Sequence, residues 1–237
     1  NAELFDDDPD IFVIEKGESM EKPLIIIIGA GPGVSLHVAK TFGSNQYKVA
    51  LVARNTSKLQ QLSDELKAEG ISNTFYTCDV SEKTAIDSCF EKIKQDHGTA
   101  VDTFLYNAAL IDKQTPSSIA YDDLIKDFKV NIAGAIYCCQ KVLTHMKENK
   151  KGTILLTGGG LALKPYYEYT SLSIGKAGIR SLAFCLAQEL KGTGIKVGTV
   201  TIAGFVEKDT HFSPDKIAEE FWKIHTGENK GVEFIYQ

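Results

Sequence analysis

The chain has 237 residues, 43% of them hydrophobic and 24% charged, which fills one α/β core and is tight for two domains. Its net charge of −5 is lopsided: residues 1–22 hold eight acidic side chains against Lys16 and Lys22, while the rest is close to neutral. That balance argues against a nucleic-acid or anionic-membrane partner, and no apolar run approaches the roughly 18 residues of a membrane span.

Residues 1–22 read as an acidic appendage to a single domain over 23–237, with Ile11–Ile14 apolar enough to dock as a short strand. The acidic start lacks the basic region of a secretory leader, and Met20 reads either as an initiator or as an internal methionine. The five cysteines, Cys78, Cys89, Cys138, Cys139 and Cys185, show no metal-ligand spacing. They read as reduced, mostly buried thiols of a cytoplasmic protein, with no metal site.

From Lys22 onward strand and helix signals alternate. Leu24–Ile28 is a continuous β-branched and leucine run, as in a strand buried on both faces. A helix over Val34–Phe42 and a strand over Lys48–Ala53 follow. Thr56–Glu69 is a helix with Leu59, Leu62 and Leu66 on one face and Gly70 past its end. Then come a strand at Thr74–Thr77, a helix over Ser81–Gln95 capped by Ser81, and a strand at Val101–Tyr106. Tyr121–Lys147 reads as one long helix with Phe128, Ile132, Ile136 and Leu143 on a stripe. A strand at Thr153–Thr157, a helix over Ser171–Leu190, a strand at Ile195–Ile202, a helix over Pro214–His225 and a strand at Val232–Tyr236 complete the chain. This alternation predicts a Rossmann-type, doubly wound, mostly parallel seven-stranded sheet with helices on both faces.

Gly29-Ala30-Gly31-Pro32-Gly33-Val34 follows the first strand and opens the first helix. Glycines there permit a tight turn and close backbone approach to a pyrophosphate, which the helix N-terminus attracts. Ser35 takes the place where a third glycine is common. The second strand ends in Ala53-Arg54-Asn55, with no acid to hold the ribose 2′-hydroxyl of NAD. The guanidinium of Arg54 instead suits a 2′-phosphate, so NADP is the expected cofactor.

With these motifs the chain resembles the short-chain dehydrogenase/reductase family over about residues 23–204. Cys78-Asp79-Val80 resembles the family's adenine-contact motif, Tyr106-Asn107-Ala108-Ala109 its Asn-Ala-Gly segment, and Lys176-Ala177-Gly178 the lysine end of its catalytic motif. Asn131 stands where the family places its active-site asparagine. The resemblance implies cofactor contacts from Gly29, Gly31, Gly33, Val34, Arg54, Asp79, Val80, Asn107, Ala108 and Lys176, with Gly204 and Val206 after the sixth strand. It also implies pairing of the two long helices between subunits, hence a homodimer or homotetramer. Ile174, Ile179, Phe184 and Leu186 supply apolar surface for it.

The sequence departs from the family at the catalytic centre. Four residues before Lys176, where the family's tyrosine stands, is Leu172; where its serine stands is Gly159, within Thr157-Gly158-Gly159-Gly160. Leu172 exchanges no proton. Tyr169, about one helical turn earlier, is the leading surrogate donor beside Lys176 and Asn131, ahead of Tyr166 and Ser173. The Pro-Gly segment after the sixth strand is altered to Ala203-Gly204-Phe205-Val206, and Ser213-Pro214 soon opens the next helix. Three readings stay open. One is an NADP(H)-dependent oxidoreductase on a carbonyl/alcohol pair of a small molecule with an altered proton donor. The others are a non-catalytic dinucleotide-binding sensor and a structural or partner-binding subunit.

Overall fold

A computed structural model describes residues 22–237, so the apolar segment Ile11–Ile14 and most of the acidic appendage lie outside the described residues. The elements are β1 (Leu24–Ile28), α1 (Val34–Ser44), β2 (Lys48–Ala53), α2 (Thr56–Ala68), β3 (Asn73–Thr77), α3 (Lys83–His97), β4 (Thr103–Tyr106), α4 (Tyr121–Phe128), α5 (Gly134–Asn149), β5 (Gly152–Gly159), α6 (Thr170–Glu189), β6 (Ile195–Ile202), α7 (Pro214–Thr226) and β7 (Glu233–Tyr236). The seven strands form one sheet in the order β3-β2-β1-β4-β5-β6-β7, every neighbouring pair parallel. Among the described residues no helix is long and apolar enough to cross a membrane.

The period of two along each strand splits the core. Leu24, Ile26 and Ile28 of β1 point into a cluster with Ile86 of α3, Val142 and Met146 of α5, and Ile179 of α6. Ile25 and Ile27 point the other way, onto Phe42 of α1, Leu62 of α2 and Phe221 of α7. A strand sandwiched this way has no solvent face, which is why its sequence is an unbroken apolar run. The strand order reverses at β1, between β2 and β4, so the first strand–helix turn opens into the crevice where ligands of such sheets bind.

Three expectations need correction. The helix after β3 starts at Lys83 with Glu82 as its N-cap, and Ser81 does not cap it; the Ser81 N–H instead donates to Asp79 Oδ1 at 2.9 Å. The long helix over 121–147 is broken by a π turn at Lys129–Ala133. The Val130 carbonyl accepts the Tyr106 hydroxyl there, and buried Gly134 packs against the Val80 carbonyl. The extra residue of the π turn rotates the second half, so of the stripe of Phe128, Ile132, Ile136 and Leu143 only Leu143 is buried, with Phe128 and Ile132 half-buried. Ile136 is exposed, and Val130, Ala135, Cys138, Cys139, Val142 and Met146 fill the core. Of the four apolar residues assigned to subunit pairing, Ile179 and Leu186 are buried in the domain's own core, and only Ile174 and Phe184 face out.

The start of α6 is held by a buried polar pair. Ser171 donates its hydroxyl to the Asp127 carboxylate of α4, and both side chains are shut off from water. Removing the donor leaves a buried carboxylate short of a partner. Ser171→Ala is expected to destabilise the protein by about 1–3 kcal/mol in urea denaturation, whereas Asp127→Asn, which keeps an acceptor, is expected to cost less.

At the opposite end of the sheet, half-buried His225 sits 2.7 Å from the Tyr47 hydroxyl through Nε2 and 3.0 Å from the Thr153 hydroxyl through Nδ1. Burial, then Lys196, push its imidazolium down to about 4. An unfolded histidine titrates near 6.5, so between these values the unfolded chain binds the extra proton and the folded one does not. Stability therefore falls as pH drops from about 6.5 toward 4, by about 2 kcal/mol after discounting for partial exposure. The acid-induced fall in melting temperature is expected to shrink in His225→Gln; an equally steep fall would refute the assignment.

Candidate active site

The first strand–helix turn is built around a close backbone approach. Gly29 has φ +81°, and a Cβ on it would lie 2.3 Å from the Ala108 nitrogen. The Asn107 Nδ2 donates to the Gly29 carbonyl at 2.9 Å, and the Gly29 and Ala30 N–H groups both donate to the Val52 carbonyl. The ends of β1, β2 and β4 are thereby tied into one platform. Gly31 and Gly33, by contrast, have open space where a Cβ would be. Ser35 is buried beneath them, accepting the Gly31 N–H at 2.8 Å and donating back to the Gly31 carbonyl at 3.1 Å. Gly33 is the N-cap of α1 without a side-chain cap, and Val34 opens the helix, so its first N–H groups point into the crevice. Open glycines beneath an uncapped helix start fit a pyrophosphate.

Arg54 stands exposed at the end of β2, with no carboxylate within ion-pair distance among the described residues. Asn55 beside it caps α2, its Oδ1 accepting the Lys58 N–H at 2.9 Å. Lys58 itself is an exposed helix-surface residue. Burial pulls the Asp79 carboxyl upward, but hydrogen bonds from the Ser81 N–H and hydroxyl and the charges of Arg54 and Lys126 outweigh it and hold it below the usual range. Asp79 is thus an anionic acceptor at the rim, and Val80 beside it is buried against α3.

A hydrogen-bond chain runs from the glycine turn to the lysine. Asn107 accepts from the Thr157 hydroxyl at 2.9 Å, and the Thr157 carbonyl accepts from the Lys176 Nζ at 2.8 Å. The Thr157 hydroxyl is thereby committed. The triple glycine divides its roles. β5 continues through Gly158 and Gly159 by pairing with Thr201 and Ile202 of β6. A Cβ on Gly158 would lie 2.7 Å from the Thr201 hydroxyl. At Gly159 the space is taken by Lys176, whose Cγ, Cδ and Cε would each be 3.3 Å from a Cβ there. Burial lowers the Lys176 ammonium to about 8.

Beside Lys176 lies a narrow recess lined by Ala108 and Ala109, by Leu172, Gly175 and Ile179 of α6, and by Asn131. Asn131 sits in the π turn. Its Oδ1 accepts the Leu110 N–H at 2.8 Å, which ties the loop after β4 to the helix. Tyr169 does not line this recess. It is the N-cap of α6, paired by a backbone bridge to Gln114, with its ring 5.8 Å from the Lys113 ammonium and 6.4 Å from the Tyr166 ring. Ser173 is bound to the Tyr166 backbone, and Tyr166 and Tyr167 are exposed. Gly204 packs on the Phe212 ring, while Phe205, 94% exposed, and Val206 lie on a loop that Tyr236 holds toward β7 through the His211 carbonyl.

The model of the short chain dehydrogenase family matches residues 23–216. The 2,3-dihydro-2,3-dihydroxybenzoate dehydrogenase of Bacillus subtilis is 26% identical over 196 residues, covering 83% of this chain and 74% of that one. A metagenomic short-chain oxidoreductase in complex with NADP superposes with TM-score 0.81 at 22% identity, over 90% of this chain and 96% of that chain. A variant actinorhodin polyketide ketoreductase with NADPH superposes with TM-score 0.84 at 20% identity, over 90% and 95%.

Proposed function

Because this chain belongs to the short chain dehydrogenase family, we propose that it is an NADP(H)-dependent oxidoreductase acting on a carbonyl/alcohol pair with an altered proton donor. The observation that carries this reading is the pairing of an open glycine cradle with an arginine at the end of β2 that has no carboxylate partner among the described residues. Gly31, Gly33 and the start of α1 would hold the pyrophosphate, Arg54 the 2′-phosphate, and Asp79 the adenine amino group. Lys176 would hold the nicotinamide ribose. The bound dinucleotide supplies or accepts the hydride. This chain's residues bind it, orient it and manage the proton, and Leu172 at position 172 takes no part in that proton transfer.

Titration calorimetry with NADPH and NADH, followed by turnover on a panel of ketones and aldehydes, tests the reading. NADPH binding without turnover would favour a dinucleotide-responsive sensor. The apolar Leu172 and the narrowness of the recess support that second reading. No binding of either dinucleotide would leave a structural subunit. The exposed Ile174 and Phe184 of α6, with Ile125 and Ile136 of α4 and α5, support a homodimer or homotetramer. Light scattering at micromolar concentration is expected to report at least a dimer, and a monomer would remove that part.

A further inference from the structure

We propose that Lys176 is itself the proton donor to the substrate oxygen, in place of a tyrosine at position 172; this rests on the oxidoreductase reading above. Two polar side chains line the recess beside the lysine. One, Asn131, is a carboxamide and no acid: its Oδ1 accepts the Leu110 N–H, and its Nδ2 lies 3.5 Å from the Leu110 carbonyl, so it can orient a substrate oxygen and cannot protonate it. The other is Lys176. Its stem lies in the space left by Gly159, where a serine Cβ would meet it at 3.3 Å. A Cβ at Gly159 would crowd this stem by only a few tenths of an ångström, so the glycine eases its path, while Leu172 brings no competing hydroxyl to the recess. A primary ammonium has three N–H donors; the Thr157 carbonyl takes one and the nicotinamide ribose would take a second, which leaves one for the substrate oxygen.

The groups facing Lys176 are Thr157 and Gly159 of β5, Ala108 and Ala109 after β4, Asn131 of the π turn and Leu172 of its own helix. None carries a charge, so burial acts unopposed and lowers the ammonium to about 8. Such a group is mostly protonated at neutral pH and gives its proton up more readily than an ordinary lysine. In the reducing direction the carbonyl carbon gains a hydride and the C=O π pair moves onto oxygen. A Lys176 N–H bond breaks as the new O–H bond forms, leaving a neutral amine that takes a proton from solvent. The carbonyl is reduced to an alcohol, and NADPH is oxidised to NADP.

Two measurements test this. In the first, the full chain without dinucleotide is acylated with acetic anhydride from about pH 6 to about pH 11, and each lysine is read by mass spectrometry. Lys176 is expected to titrate near 8, well below ordinary exposed lysines at about 10.4. In the second, phenanthrenequinone and 1-tetralone are reduced at saturating NADPH. Lys176→Arg is expected to lower kcat by at least about 100-fold, the scale of a lost general acid. The wild type is expected to lose rate as pH rises through about 8. Lys176 titrating with the surface lysines overturns the proposal whatever the activity. So does wild-type kcat in Lys176→Arg, or a comparable loss in Tyr169→Phe alone. Turnover that survives Lys176→Arg removes the proposal and leaves the oxidoreductase reading. No turnover by the wild type despite NADPH binding removes both.

Discussion

Alanine at position 29 is expected to destabilise the protein by about 2–5 kcal/mol and to abolish dinucleotide binding. Two costs add. At φ +81° a side chain enters the left-handed region, at about 1–2 kcal/mol. The new Cβ would also lie 2.3 Å from the Ala108 nitrogen, 2.5 Å from its Cα and 2.8 Å from the Asn107 carbonyl carbon. All three are backbone atoms, so no side chain can swing aside, and the ends of β1 and β4 must separate. Separation strains the Asn107–Gly29 hydrogen bond and, through Asn107, the Thr157 hydroxyl. Gly33→Ala is the control. Its Cβ enters open space, so it is expected to change stability by less than about 1 kcal/mol while still obstructing the pyrophosphate. A urea midpoint for Gly29→Ala equal to wild type would show that the approach is not needed.

Arg54→Ala is expected to weaken NADPH binding by about 1–3 kcal/mol, or roughly 5- to 150-fold, and to leave NADH nearly unaffected. The side chain has no carboxylate partner to lose among the described residues, so its removal costs the fold little. The effect should shrink with added salt, because the residue is exposed and its field is screened. Equal losses for the two dinucleotides in calorimetry would show that Arg54 does not read the 2′-phosphate.

Residues whose environment is set by their own strand or helix are the ones the sequence reveals. The run Leu24–Ile28, the bounds of Lys48–Ala53 and Ile195–Ile202, and the doubly wound parallel order all follow from local apolar pattern and turn chemistry. The features that escape it depend on partners far along the chain. The π turn at Lys129–Ala133 is held by Tyr106 and Leu110, and neither marks itself locally. Asn131 in mid-helix is the one local sign, since asparagine is a poor helix former. Ile179 and Leu186 carry the same apolar character as Ile174 and Phe184, and only packing tells which pair is spent inside. At the candidate site, helical spacing brings Tyr169 near Leu172, but the bridge to Gln114 fixes it at the helix cap instead. The packing of the Lys176 stem against Gly159 joins residues that no periodicity relates.

The strand order also sets a timetable for folding during synthesis. β1 pairs with β2 through Leu24↔Lys48, but its other edge waits for β4, through Ile25↔Thr103. Until residue 106 has left the ribosome, the most apolar strand of the protein has one unpaired edge and one uncovered core face. Closing that gap carries the loop entropy of a long intervening chain, which weighs more on the rate of the step than on the final stability. Nascent chains halted before β4 should therefore be the ones that engage chaperones or aggregate through Leu24–Ile28, and chains halted after β5 should not.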